Sequence, residues 1–377
     1  MLSSSRALRH TNSSLRISNK LCQRTGHLHL SQWAHSANLR YASTQASNIS
    51  GALVRHSPSL NPPRASFSNN GRRTLQTQSH SAPSVNQSEI DFFSRLSAHW
   101  WDEHGEFALL HRMNPARVHF VRDKILETAR DDARDDTADA AVDARARSRQ
   151  ALRGMDVLDV GCGGGLLSES LARLGARTLG IDASEANVRI ASLHAAADPA
   201  LRTSLAYRHT PAETLAAEGR TFDAVCAMEV LEHVDDPAGF LATCASLVKP
   251  GGHLFLSTIA RTPLAYLLTI LAAEHVLRKV SVGTHTYSKF VNPSELVRFF
   301  QKPLPAPSSL PSSELNASTP WISQTHNSGS PTRTEAEVRG LVYVPWKGEW
   351  ILAPRTWTDW GAAECNYIFW VRRPMDS

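Results

Sequence analysis

Residues 156–183 read DVLDVGCGGGLLSESLARLGARTLGIDA. One apolar run, Asp156–Val160, leads into glycines at alternate positions (Gly161, Gly163 and Gly165), and a second apolar run ends on Asp182. A glycine turn between a strand and a helix lets a ligand approach the backbone and sets it at the helix N-terminus. The dinucleotide fingerprint needs a further glycine three positions after the second, where Leu166 stands instead, so a pyrophosphate is not expected. Asp182 follows Gly161 by 21 residues, at a strand end where a carboxylate can accept hydrogen bonds from both ribose hydroxyls. Turn and acid together suit a nucleoside ligand without phosphates. Asp159, just before the turn, can orient a charged amino-acid tail or the loop itself.

The same texture continues outward. Strand-like runs at Thr178–Ile181, Leu205–His209, Ala224–Met228 and His253–Thr258 alternate with helical patterns at Leu166–Leu174, Glu185–Ala196 and Pro237–Leu247. Strands separated by helices of about ten residues predict right-handed βαβ units and a parallel sheet. Pro250-Gly251-Gly252 reads as the stop and turn between the last helix and its strand. Ahead of this core, Glu89–Ala129 reads as helical, and the Ala/Asp/Arg-rich stretch 130–150 as a solvated helix extension or a disordered insertion. Beyond it, 301–334 is rich in Pro and Ser and reads as a mobile loop. Gly340–Val344 and Asn366–Arg372 are expected to close the sheet as an antiparallel hairpin.

Charge locates the remaining segment. The chain carries +5 overall, yet residues 1–88 hold ten Lys and Arg and no acid, leaving 30 basic against 35 acidic residues after them. The positive charge therefore belongs to a leader, and no nucleic-acid partner is expected. A leader rich in Ser, Asn, Arg and His, without a long apolar core, has the composition of a mitochondrial transit peptide, with Arg72-Arg73 a processing neighbourhood. The five cysteines lack CxxC spacing and fit a reducing compartment. Residues 1–88 are thus expected as leader and 89–377 as one domain with insertions near 130–150 and 301–334. Leu264–Ala273 is too short to cross a bilayer, but flanked by His275, Arg278 and Lys279 it can lie on a membrane surface or cover a substrate pocket.

LDVGCGGG, GIDAS, FDAVCAMEVLEHVDDP and LVKPGGHLFLST, in this order, resemble the class I S-adenosylmethionine-dependent methyltransferases. The resemblance implies a Rossmann-like α/β fold with helices on both faces of a mostly parallel sheet. WWDEHGEFALLHRMNPARV before the core, MEVLEHV within it, and THTYSKFVNPSELVRFF and GLVYVP after it resemble the ubiquinone biosynthesis O-methyltransferases. That resemblance implies methylation of catechol-type hydroxyls on a polyprenylated ring with S-adenosylmethionine and Mg2+. It also implies peripheral residence on the matrix side of the inner mitochondrial membrane, among the other enzymes of the pathway.

Carried onto this sequence, the family pattern places cofactor contacts at Arg117, Gly161, Asp182 and Met228, and metal ligands at Glu229, Glu232 and His233. Gly163 and Asp159 join the cofactor set from the turn itself. An unperturbed phenol titrates near 10, and a hard cation on the catechol oxygens would lower that value. Glu229 and Glu232 share a face at i, i+3. His233 is a metal ligand or the base for the phenolic proton, and Glu232 is expected beside it as a catalytic group. Against these stand a helix-start role for LEHV, a surface role for Arg117 and a packing role for Trp100-Trp101 over the cleft. Two other readings are a metal-free C- or N-methyltransferase and a non-catalytic assembly subunit.

Overall fold

The computed structural model describes residues 84–276, 280–281, 283–304, 319–325, 331–357 and 361–375. Nearly all of the expected leader, the pair Arg278-Lys279 and much of the Pro/Ser-rich stretch lie outside the described residues. Asn69–Ser377 forms one compact unit.

Strand β1 (Asp156–Val160) pairs in parallel on both sides, with β2 (Arg177–Asp182) and with β4 (Phe222–Met228), and is buried along almost its whole length because a core packs on each face, Leu158 and Val160 entering one and Val157 the other. A strand covered on both faces reads as a continuous apolar run, as DVLDV does. With β3 (Leu205–His209), β5 (Val248–Ile259), β6 (Ala336–Val344), β7 (Glu349–Leu352) and β8 (Asn366–Arg372), the sheet has eight strands in the order β3-β2-β1-β4-β5-β8-β6-β7. The first five are parallel, and β8 runs antiparallel to both β5 and β6. Alternate residues of β4 feed two cores: Val225 and Ala227 pack with Leu241, Leu254 and Phe369, while Cys226 and Met228 pack with Phe120, Leu171 and Trp370.

The helices between strands are α4 (Leu166–Arg173), α5 (Glu185–Ala196), α6 (Ala212–Ala217) and α7 (Pro237–Ser246). Their starts are written locally. Ser184 Oγ accepts the Asn187 N–H to cap α5, and Asp236 Oδ1 accepts the Gly239 N–H at 3.0 Å to cap α7, with Pro237 at its first position. Before the sheet come α1 (Gln87–Leu96), α2 (Ala108–Asp131) and α3 (Asp136–Arg147). Past β5 lie a short α8 (Pro263–Ala265), a π-helix over Tyr266–Val276 and α9 (Pro293–Phe300).

Several expectations need correction. The helical reading of 89–129 breaks at 97–107, where the Gly105 N–H bonds to the Asp102 carbonyl and the His104 N–H to the Asp102 carboxylate. Of the two readings of 130–150, a helix is what forms, α3, capped by Asp135. Pro250-Gly251-Gly252 sits inside β5, where the register against β4 slips between Phe222↔Val248 and Ala224↔His253. It is a bulge, and Gly251 takes φ 72° to make it. Gly340–Val344 and Asn366–Arg372 do pair antiparallel as expected, within β6 and β8, but the sequence reading missed β7, which lies between them in the chain and pairs on the other edge of β6. Within 301–334, Trp321 and Ile322 are buried, and both their N–H groups bond to the Phe300 carbonyl, so this part is anchored to the core.

Candidate active site

Parallel strands place their carboxyl ends together, and the crevice there is where ligands of such sheets bind. The turn after β1 is the first element at that end. Gly161 and Cys162 N–H both donate to the Ile181 carbonyl, at 2.8 and 2.9 Å, so the turn is fastened to the end of β2. Gly161, Gly163 and Gly165 have φ of 70°, 53° and 90°, a left-handed run that side chains disfavour.

Asp182 stands across this turn. Its Oδ2 accepts the Gly163 N–H at 2.9 Å, while Oδ1 accepts the Ser184 N–H at 2.8 Å and the Asn187 side-chain amide at 3.3 Å. Burial raises its pKa, against the pull of these donors. With three of about four acceptor positions taken by the protein, the carboxylate has one place open, fewer than a grip on both ribose hydroxyls needs.

Asp159 is buried at 2 % exposure under the turn, and Ser168 Oγ on α4 donates to it at 2.5 Å. Burial pushes its carboxyl up to about 7, a shift that the Ser168 bond and the charge of Arg117 only partly oppose. Arg117 comes from α2 and is buried, not on the surface. Its Nη2 lies 3.6 Å from Glu229 Oε1, and its Nε is buried without a hydrogen-bond partner. Burial lowers its pKa, while Glu229, Asp159 and Glu232 favour its charge. A guanidinium with an unanswered N–H is a donor waiting for an acceptor.

Strand β4 ends on Met228, buried within the second core, and the chain then turns through Glu229, the one described non-glycine residue with positive φ, at 58°. Such a conformation costs on the order of 1–3 kcal/mol and persists where the surroundings enforce it. Here Ser257 on β5 enforces it, its carbonyl accepting the Glu229 N–H at 2.9 Å and its hydroxyl donating to Glu229 Oε1 at 2.6 Å. Glu232 is buried, with Thr258 Oγ1 donating to its Oε2 at 2.7 Å. Burial and the neighbouring Glu229 charge raise its pKa. His233 turns another way: its Nδ1 meets Glu89 Oε2 at 3.2 Å and its ring lies edge-on to Phe93. Burial disfavours the imidazolium, but Glu89 and Glu232 outweigh it and the His233 pKa is raised. Lys289 Nζ bonds the other Glu89 oxygen at 3.2 Å.

The structure thus brings Arg117, Asp159, Gly161, Gly163, Asp182, Met228, Glu229, Glu232 and His233 to one end of the sheet. The three expected metal ligands each engage a different partner there. Among the described residues, no group of three or more His, Cys, Asp or Glu side chains is gathered so as to hold a metal ion. Glu89, Asn187, Ser257, Thr258 and Lys289 belong to the site and were not foreseen. Asn187 sits five residues from Asp182 and could have been found as the i+3 partner of the Ser184 cap; the others come from distant sequence with no local signal.

Comparison with known proteins places the chain in a family. Residues 126–303 match the methyltransferase domain family. The ubiquinone biosynthesis O-methyltransferase of Sinorhizobium fredii is 47% identical over 222 residues, 59% of this chain and 82% of that protein. The mitochondrial ubiquinone biosynthesis O-methyltransferase of Schizosaccharomyces pombe is 39% identical over 294 residues, 78% of this chain and 89% of that protein. Among solved structures, magnesium protoporphyrin IX methyltransferase from Synechocystis PCC 6803 with bound SAH aligns at TM-score 0.41 and 18% identity, covering 76% of this chain and 95% of that one. With most of the bacterial and yeast relatives spanned at these identities, the chain belongs to the ubiquinone biosynthesis O-methyltransferase family of S-adenosylmethionine-dependent enzymes.

Proposed function

We propose that this chain methylates a catechol-type hydroxyl on polyprenylated ubiquinone precursors, at the dihydroxybenzoate and demethylubiquinol steps, on the matrix side of the inner mitochondrial membrane. The observation that carries the reading is the convergence at one crevice of the glycine turn, Asp182, and Arg117 with its unanswered buried Nε. Asp182 takes a ribose hydroxyl at its open acceptor position. Arg117 Nε donates to the carboxylate of the donor's amino-acid tail, and Asp159 faces its ammonium group. Gly161 and Gly163 let the nucleoside lie against the backbone, and Met228 closes the wall beside it.

Methyl transfer to a phenol is an in-line displacement in which the sulfonium is the leaving group, so the protein must hold the oxygen in line and help remove its proton. With the Nδ1 proton donated to Glu89, His233 presents Nε2 as the acceptor for that proton. In the other role, His233 Nε2 instead joins Glu229 and Glu232 as ligands of a magnesium ion, which would supply Lewis acidity to the catechol oxygens. The charge of Glu229 that raises Glu232, a repulsion a cation relieves, supports that placement.

Contact with the bilayer is assigned to the segment after β5. Leu264, Leu267, Leu268 and Leu271 are 41–50% exposed there, and no described helix is long and apolar enough to cross a membrane. A surface-lying strip suits a substrate whose isoprenoid tail stays in lipid, and other enzymes of the pathway would meet the protein on that membrane. The test is incubation of purified protein with labelled S-adenosylmethionine and a short-tailed catechol, with and without EDTA, read by mass spectrometry. A methyl ether formed only when magnesium is present is expected. Full activity in EDTA would remove the metal, and transfer to carbon or nitrogen would remove the substrate class.

A further inference from the structure

The two adjacent tryptophans close over the glycine turn. Trp100 is 8 % exposed and stacks on Phe107, with centroids 3.8 Å apart and planes within 5°. A Cβ at Gly163 would meet its ring at 2.3 Å and one at Gly164 its Cβ at 2.4 Å, so these glycines admit the indole as well as a ligand. Trp101 Nε1 donates to the Gly164 carbonyl at 3.0 Å, and its ring stacks on His194 at 3.3 Å.

The indole of Trp100 does more than fill space. Its Nε1 donates to Asn187 Oδ1 at 2.9 Å. An indole N–H is a donor only, so the Asn187 amide must turn its oxygen toward Trp100 and its nitrogen away. That nitrogen donates to Asp182 Oδ1 at 3.3 Å. Asn187 is 2 % exposed, so solvent cannot substitute for either partner. Flipped, the amide would set its oxygen against the carboxylate and its nitrogen against the indole N–H, losing both hydrogen bonds.

We propose that Trp100 and Asn187 are positioning residues for the methyl donor: the indole fixes the amide, the amide fixes the Asp182 carboxylate, and ribose recognition thereby depends on a segment outside the βαβ core. The proposal rests on Asp182 being the ribose acid. It identifies the preference of the site for a sugar bearing free hydroxyls as a property of the Trp100–Asn187–Asp182 chain.

Calorimetry with S-adenosylhomocysteine and its 2′,3′-dideoxyribose analogue tests this, the readout being the ratio of the two dissociation constants. Trp100→Phe keeps the stack on Phe107 and removes the N–H; it is expected to cut that ratio by up to about tenfold, the effect of one lost neutral hydrogen bond. Asn187→Ala should cut it equally, and the double variant no further. A merely structural Trp100 would weaken both ligands alike and leave the ratio intact. An unchanged ratio in Trp100→Phe, or additive losses in the double variant, overturns the proposal. Asp182→Asn separates the two claims: a ratio retained in that variant removes the ribose-acid reading, whereas loss there with retention in Trp100→Phe removes only the relay.

Discussion

Replacing Gly163 by alanine tests the packing of the whole cofactor turn. Two costs add at this position. The backbone sits at φ 53°, where an L-residue costs roughly 1–2 kcal/mol more than glycine. The new methyl would also lie 2.3 and 2.4 Å from Trp100 Cζ2 and Cη2, atoms of a buried ring stacked on Phe107. Overpacking of that kind costs about 1–3 kcal/mol, giving a total on the order of 2–5 kcal/mol. Gly219 is the internal control, because it has φ 69° but nothing within 4 Å of an added Cβ. Gly219→Ala therefore bears only the backbone cost. At about 2–4 °C per kcal/mol for a domain of this size, Gly163→Ala should lower Tm by roughly 5–15 °C and Gly219→Ala by only about 2–6 °C. Thermal melts followed by circular dichroism, with urea midpoints as a check, measure both. Combining Gly163→Ala with Trp100→Ala should cost less than the sum of the single changes, since the clash disappears with the ring. Equal losses for Gly163→Ala and Gly219→Ala would refute the placement of Trp100 on the turn.

Other perturbations read the charges. Asp159 has a native pKa of about 7 against 3.8 unfolded, so the folded state holds its proton more tightly, and stability falls as pH rises between those values. At about 1.4 kcal/mol per pH unit the loss is roughly 4 kcal/mol at most, and Asp159→Asn should remove that slope from urea midpoints taken at pH 5 and 7.5. Arg117→Met strands Glu229, Glu232 and Asp159 without their shared cation; a loss of about 3 kcal/mol at pH 8, smaller at pH 6 where the raised acids can protonate, is the expected pair of denaturation results. Leu267→Ser with Leu271→Ser changes side chains that are 50% and 43% exposed, so co-sedimentation with anionic vesicles should drop while Tm stays within about 2 °C. Glu274 accepts N–H bonds from Gly283 and His285 at 2.8 and 2.9 Å, and Glu274→Gln should speed proteolysis after the π-helix while the sheet's melting is unchanged.

The parallel core was legible because its determinants are local. A strand covered on both faces is mostly apolar, and a turn with left-handed backbone favours glycine, so β1, Gly161 and Asp182 announce themselves in a single stretch. Caps such as Ser184 and Asp236 mark helix starts for the same reason. The sequence by itself therefore determined the Rossmann-like layers and that the glycine turn and Asp182 lie at the carboxyl ends of the strands. Tertiary structure alone decided what those residues touch. Glu89 reaches His233 across 144 positions and Lys289 reaches Glu89 across 200, pairings with no periodicity to reveal them. The bulge at Gly251, the thin strand β7 and the burial of Trp321 likewise depend on what the sheet edge and Phe300 offer, and composition cannot report that. Whether Arg117 stands on a surface or is buried facing Glu229 is a question of desolvation, fixed only once α2 has packed against the sheet.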